Sequence, residues 1–201
     1  IYFSTLKYSD GRFVGGFADG EDVDWHSDQT YQVRPATGAI LYGTEVPRDG
    51  GDIYWANQYA AWDRLPQDIQ QLIEGRTGLF RYAKRYAMLG ALELKGKEAS
   101  NAMLSLPDAR HPLVLTHPKT GRKALYVNPA FTMRFEGWSA RESKPLLDFL
   151  FDHCRQEART CRFAWTPGSV AFWDNRSVWH YALNDYPGQR RHMRRVTVDP
   201  S

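Results

Sequence analysis

The chain has 201 residues, is 42% hydrophobic and 24% charged, and carries a formal charge of +3. That length allows one domain with a sizeable core. No stretch approaches the roughly 18 uninterrupted apolar residues of a membrane span, and so small a charge calls for neither nucleic acid nor an anionic membrane. The two cysteines, Cys154 and Cys161, are too few for a disulfide scaffold, and two free thiols in a reducing, cytoplasmic setting are expected. The chain opens at Ile1 with no Met and no signal-peptide pattern, which reads as the edge of a fragment.

Residues 1–24 are rich in Gly, Asp and aromatics (Asp10-Gly11, Gly15-Gly16, Asp19-Gly20) and read as a mobile substrate loop. Trp25 to Tyr31 alternates, which suits a strand or its entrance. Ala39 to Val46 is a second strand, Pro47-Arg48-Asp49-Gly50-Gly51 a turn, and Ile53 to Ala56 a third strand, so that this pair predicts a hairpin. Gln58 to Arg64 and Pro66 to Glu74 are helical, the second opened by Pro66 and closed by Gly75. Residues 76–110 are basic and lack a clean period, as in an insertion or lid with some helix. His111 to Pro118 and Lys123 to Val127 predict strands around a Lys119–Arg122 turn. Ser139-Ala140-Arg141-Glu142 is a capping box. It opens a helix to about Arg155 with Leu146, Leu147, Leu150 and Phe151 on one face. Three strands end the chain: Cys161 to Thr166, Val170 to Asp174 and Arg194 to Val198, the first two joined by a Pro167-Gly168 turn. Many short strands with few helices predict an antiparallel barrel or double-sheet jelly roll in a single domain, residues 1–201.

The chemistry concentrates at Trp25-His26-Ser27-Asp28. On a strand, residues i and i+2 share a face, so His26 and Asp28 converge on one point. A distant His would complete two imidazoles and one carboxylate with open positions, the set that suits non-heme Fe(II) working with O₂. Alone, a His-x-Asp pair is a common accident. His111 and His117 flank prolines and read as surface or packing residues, while His153 and His192 read as solvated. His180 differs: it follows Trp173-Asp174-Asn175-Arg176 and precedes Arg190, Arg191, Arg194 and Arg195. If extended, that run puts Arg191 and Arg195 on one face and Arg194 on the other. One same-face guanidinium could then clamp a dianion's carboxylate and the other meet a second anion. A solvated or nucleic-acid-binding basic run is the plain alternative.

These residues, with the Gly50-Gly51-Asp52 turn, Thr116-His117-Pro118 and Gly121 to Asn128, resemble the taurine dioxygenase / 2,4-D dioxygenase family from about Trp25 to Val198. The resemblance implies a fold that is mainly β with flanking helices, a double-stranded β-helix (jelly roll, cupin-like), from which the family's usual N-terminal segment is absent. It implies Fe(II) bound by His26, Asp28 and His180, with 2-oxoglutarate as co-substrate and O₂ as oxidant. Arg191 would pair with the far carboxylate of 2-oxoglutarate, and Arg195 would face the substrate's anionic group. Phe131 would line the substrate pocket, with Tyr86 as a second candidate. Ile53 stands where relatives usually carry a Thr that hydrogen-bonds 2-oxoglutarate. Asp22 replaces a polar Asn, a change that disfavours a sulfonate and suits an amine.

The activity so implied is hydroxylation of a small anionic organic substrate (a sulfonate, sulfate ester or carboxylate), with succinate and CO₂ as co-products. A C–S, C–O or C–N bond breaks where the new hydroxyl adjoins a heteroatom. The Trp-rich shell (Trp25, Trp55, Trp165, Trp173) suits exclusion of water, although core packing explains each Trp singly. A homodimer or homotetramer is expected from the family. Two rival readings are a zinc hydrolase using the same triad, which leaves Arg191 and Arg195 unexplained, and a non-catalytic jelly-roll binding protein.

Overall fold

Gly38–Glu45 alternates buried and exposed side chains along most of its length and forms an eight-residue strand, β2. In the computed structural model, which describes residues 2–5, 9, 24–82 and 106–200, β2 is the centre of the larger sheet. Its order is β1 (Tyr2–Ser4), β12 (His192–Val198), β2, β10 (Val170–Asp174), with antiparallel pairing throughout. A second antiparallel sheet runs β11 (Val178–Ala182), β3 (Ile53–Asn57), β9 (Thr160–Phe163). Ala39, Leu41, Ala171, Trp173 and Met193 from the first sheet pack with Ile53, Trp55, Phe163, Val178 and Ala182 from the second. This apolar layer between two sheets is the double-sheet arrangement expected of a jelly roll.

The outer face of the second sheet carries Ala56 and Trp179, and helices cover it. These are α1 (Gln58–Asp63), α2 (Gln67–Ile73) and α3 (Ala140–Cys154), packed with Leu113, Leu125, Val127 and Phe135. α3 begins with the predicted capping box: Ser139 accepts from the Glu142 amide, and the Glu142 carboxylate accepts from the Ser139 amide. Its apolar face buries Leu147, Leu150 and Phe151, with Leu146 half-buried at the margin. Two further ladders complete the described residues. They are β5 (Ala109–Pro112), β4 (Thr77–Phe80) and β8 (Thr132–Phe135), and the β6 (Val114–Thr116)–β7 (Lys123–Leu125) hairpin.

Several sequence expectations are corrected. The strand pair Ala39–Val46 and Ile53–Ala56 is no hairpin, because β2 and β3 lie in different sheets and the Pro47–Gly51 turn carries the chain between them. The Pro167-Gly168 turn likewise links β9 of one sheet to β10 of the other. Trp25 to Tyr31 is not a strand; it makes one isolated bridge at His26, then turns at Gln29, whose φ is 57°. The final section holds four strands rather than three, the additional one being β11. Within 76–110 the structure has β4 and the start of β5; the loop and lid expectations for 10–23 and 83–105 lie outside the described residues. His153 is buried rather than solvated, donating from Nε2 to the Ala61 carbonyl at 2.8 Å and tying α3 to α1. His111 and His117 are packing residues, bonded to the Gln32 carbonyl and to Asp174, each at 2.9 Å. Both cysteines are free, Cys154 buried and Cys161 exposed.

Candidate metal centre

The free edge of β11 receives the segment that carries His26. The His26 amide donates to the His180 carbonyl at 3.1 Å and the His180 amide to the His26 carbonyl at 2.8 Å. Residues directly opposite in an antiparallel bridge present their side chains to the same side, and the two imidazole rings lie 4.2 Å apart. Trp25 stacks on Tyr181 at 5.6 Å, and Ser27 turns away to donate to the Val178 carbonyl at 2.8 Å. The turn that follows brings Asp28 back beneath the rings. Its amide faces Asn175 Oδ1 at 3.5 Å, and Trp173 Nε1 donates to that same oxygen at 2.9 Å.

His26, Asp28 and His180 each offer one ligand atom, all within 4.8 Å of one another. Nε2 of His26 and Nε2 of His180 both lie 3.7 Å from Asp28 Oδ1. One ion can touch two atoms only if they are within twice a metal–ligand bond of roughly 2.0–2.2 Å, and 3.7 Å satisfies that. The tautomer also fits. His26 Nδ1 lies 2.8 Å from the Asp24 carbonyl, which can only accept, so Nδ1 holds the proton and Nε2 keeps its lone pair. His180 is 5% exposed and its Nδ1 has no hydrogen-bond partner. Its Nε2 is too far from Asp28 for a hydrogen bond, which leaves a buried imidazole whose lone pair suits an ion.

The protonation states agree. Burial alone would raise the Asp28 carboxyl, but His180, His26 and Arg195 outweigh it and hold Asp28 well below the usual carboxylate range. Burial, aided by His26, pushes the His180 imidazole down to about 3, so it is neutral at pH 7. An anionic carboxylate oxygen and a neutral His180 imidazole are forms that bind a divalent cation.

Arg191 and Arg195 take the inward side and Arg194 the exposed side, as strand alternation predicts. Arg191 is 6% exposed. Its guanidinium lies 5.6 Å from the Tyr186 ring centre, its Nε has no hydrogen-bond partner, and no described carboxylate lies within 4 Å. Burial lowers its proton affinity, with Tyr186 opposing. Thr5 anchors its backbone, donating from Oγ1 to the Arg191 carbonyl at 3.2 Å and accepting from the Arg191 amide at 2.8 Å. Arg195 instead hydrogen-bonds Asp28 Oδ2 through Nη2 and lies over the Trp173 ring at 5.6 Å. Phe131 is buried, edge-on to His26 at 5.8 Å. Ile53 is 2% exposed within the apolar layer beside Met193. Asp22 and Tyr86 lie outside the described residues.

Sequence reasoning gave no role to Asn175 or Tyr186. Asn175 lies inside the quoted Trp173-Asp174-Asn175-Arg176 run, whose polar pair in an apolar setting was the available signal. The Gly50-Gly51 turn is explained by close approach: a Cβ on Gly50 would lie 2.6 Å from Asp185 Oδ1, the oxygen that accepts from the Gly51 amide at 2.7 Å.

Residues 4–197 match the model of a family described as taurine catabolism dioxygenase TauD, TfdA family. The alpha-ketoglutarate-dependent sulfate ester dioxygenase of Pseudomonas putida is 34% identical, over 87% of this chain and 58% of its own length. The alpha-ketoglutarate-dependent 2,4-dichlorophenoxyacetate dioxygenase of Cupriavidus pinatubonensis is 35% identical, over 92% and 62%. The crystal structure of a taurine dioxygenase from Burkholderia xenovorans superposes with a TM-score of 0.75 at 31% identity, covering all of this chain and 64% of that one. The chain spans about half the length of the curated relatives it matches.

Proposed function

The chain belongs to the taurine catabolism dioxygenase TauD, TfdA family, and on that footing we propose that it is an Fe(II)- and 2-oxoglutarate-dependent dioxygenase that hydroxylates a small anionic organic substrate. The observation that carries this reading is the pairing of two buried features. One is the His26, Asp28, His180 cluster; the other is Arg191, a buried cation without an ion-pair partner among the described residues. A zinc hydrolase would need the first and leave the second without purpose. A buried guanidinium is costly unless an anion joins it, and a dicarboxylate that reaches both the ion and Arg191 meets that need.

When bound, iron and 2-oxoglutarate supply the oxidising chemistry: O₂ is divided between the co-substrate, which leaves as succinate and CO₂, and the substrate, which gains a hydroxyl. The residues of this chain bind and orient. His26, Asp28 and His180 would hold the ion on one side and leave the other side to ligands. Arg191 would clamp the far carboxylate of 2-oxoglutarate in a bidentate pair. Trp173, whose ring centre is 5.0 Å from that of His180, and Phe131 keep the surroundings of the imidazoles apolar and dry. Arg195 would meet the substrate's anionic group, whether sulfonate, sulfate ester or carboxylate, and Asp22 and Tyr86 would add substrate contacts. Where the hydroxyl adjoins sulfur or oxygen, the product collapses with C–S or C–O cleavage.

The proposal extends to a cytoplasmic homodimer or homotetramer with no nucleic-acid or membrane partner. No helix among the described residues is long and apolar enough to cross a membrane. The deciding measurement is succinate formation across taurine, alkyl sulfates and aryloxyalkanoates. It should require both Fe(II) and 2-oxoglutarate and vanish in His26→Ala. Turnover that persists in that variant, or that ignores 2-oxoglutarate, overturns the reading.

A further inference from the structure

The two oxygens of the Asp28 carboxylate have different neighbours. Oδ1 faces the metal position, 3.7 Å from Nε2 of both His26 and His180. Oδ2 accepts a hydrogen bond from Arg195 Nη2. Both partners are shielded, the Asp28 side chain being 8% exposed and that of Arg195 15%. The guanidinium is steadied from another direction by the Trp173 ring. Trp173 Nε1 and the Asp28 amide share the Asn175 side-chain oxygen Oδ1, so one small network fixes both ends of the pair.

We propose that Arg195 is a positioning residue for the metal ligand: by occupying Oδ2 it holds Asp28 to one-oxygen ligation. A carboxylate can bind an ion through one oxygen or through two. With two imidazoles and one oxygen, an octahedral ion keeps about three positions open. Two-oxygen binding would consume one of these, and co-substrate and O₂ together need all of them. The inference rests on the metal-site reading above and adds to the substrate contact assigned to Arg195. A guanidinium has five donors, so one cation can serve Asp28 and a substrate anion together. Lysine, a point charge without the planar fork, could not reproduce both contacts.

The test uses Mn(II) bound to the apoprotein, with water-proton relaxation counting the waters on the ion and a thermal melt checking the fold. The unaltered chain should hold about three waters, and Arg195→Met about two. Mn(II) should also bind several-fold more tightly to Arg195→Met, because a second oxygen joins and a neighbouring positive charge leaves. If Arg195→Met does not fold, Arg195→Ala removes the same donor and carries the comparison. A folded variant that keeps about three waters, or that no longer binds Mn(II), overturns the proposal. Failure of the unaltered chain to bind Mn(II) at all instead strikes down the metal-site reading, and this inference with it.

Discussion

His26 and His180 are joined by two main-chain hydrogen bonds, one in each direction. The two imidazoles are therefore brought together by backbone before any side chain contributes. His180→Ala should keep both bonds and fold, as judged by circular dichroism, yet lose Co(II) binding in a calorimetric titration. A variant that still bound Co(II) at unchanged affinity would remove His180 from the ligand set.

Arg191→Ala should weaken 2-oxoglutarate binding. Hydrogen bonds to a charged group are worth about 1.5–3 kcal/mol, so the dissociation constant should rise roughly 10- to 150-fold. Anaerobic titration of the Fe(II)-loaded protein measures it. Substrate binding should suffer less, and Arg195→Ala should show the opposite bias. Equal effects of both changes on both ligands would sink the division of roles.

The family resemblance leads to the expectation of a Thr at the position of Ile53. Ile53→Thr should tighten 2-oxoglutarate by up to about ten-fold, the value of one neutral hydrogen bond of roughly 0.5–1.5 kcal/mol. Stability should fall, because a side chain 2% exposed in the apolar layer loses carbon and gains a polar group. The cost is on the order of 1 kcal/mol or more, visible as a lower Tm. An unchanged affinity would mean that the hydroxyl at this position cannot reach the co-substrate.

Burial favours the neutral form of His111, His153 and His180, with His180 pushed down to about 3. In the unfolded chain each binds its proton near pH 6.5. Below that pH the unfolded state holds more protons than the folded one, so stability should decline as pH falls from about 6.5 toward 3. Urea denaturation of the metal-free protein at pH 7 and pH 5 measures this. His111→Gln should flatten the slope without abolishing it. Stability that rises on acidification would contradict the neutral assignment.

The grouping of His26, Asp28 and His180 and the inward side of Arg191 and Arg195 were legible in the sequence, because metal chemistry admits few residue types and strand alternation sets the faces. The helices were legible as well, since the Ser139–Glu142 box and the Leu147, Leu150, Phe151 face are local signals. Sheet membership was not. Turn residues at Pro47–Gly51 and Pro167-Gly168 announce a change of direction but not the partner of the next strand, and in both places the chain changes sheet. Trp25 to Tyr31 alternates, yet the turn at Gln29 interrupts it because Asp28 must come back beneath the histidine rings. β11 went unread because its outward Trp179 is buried under helices, which erases the polar-apolar alternation that marks a half-exposed strand.

The pairing of β2 with β12 has a consequence for how the protein comes into being. Strands so far apart in sequence can meet only after a large loop closes, a slow step dominated by chain entropy. Until β12 docks, β2 lacks one neighbour and Arg195 cannot reach Asp28. During synthesis the first half of the chain holds His26 and Asp28 without His180. His180 arrives with β11 and Arg195 with β12, so the groups around Asp28 come together only as the C-terminal strands dock.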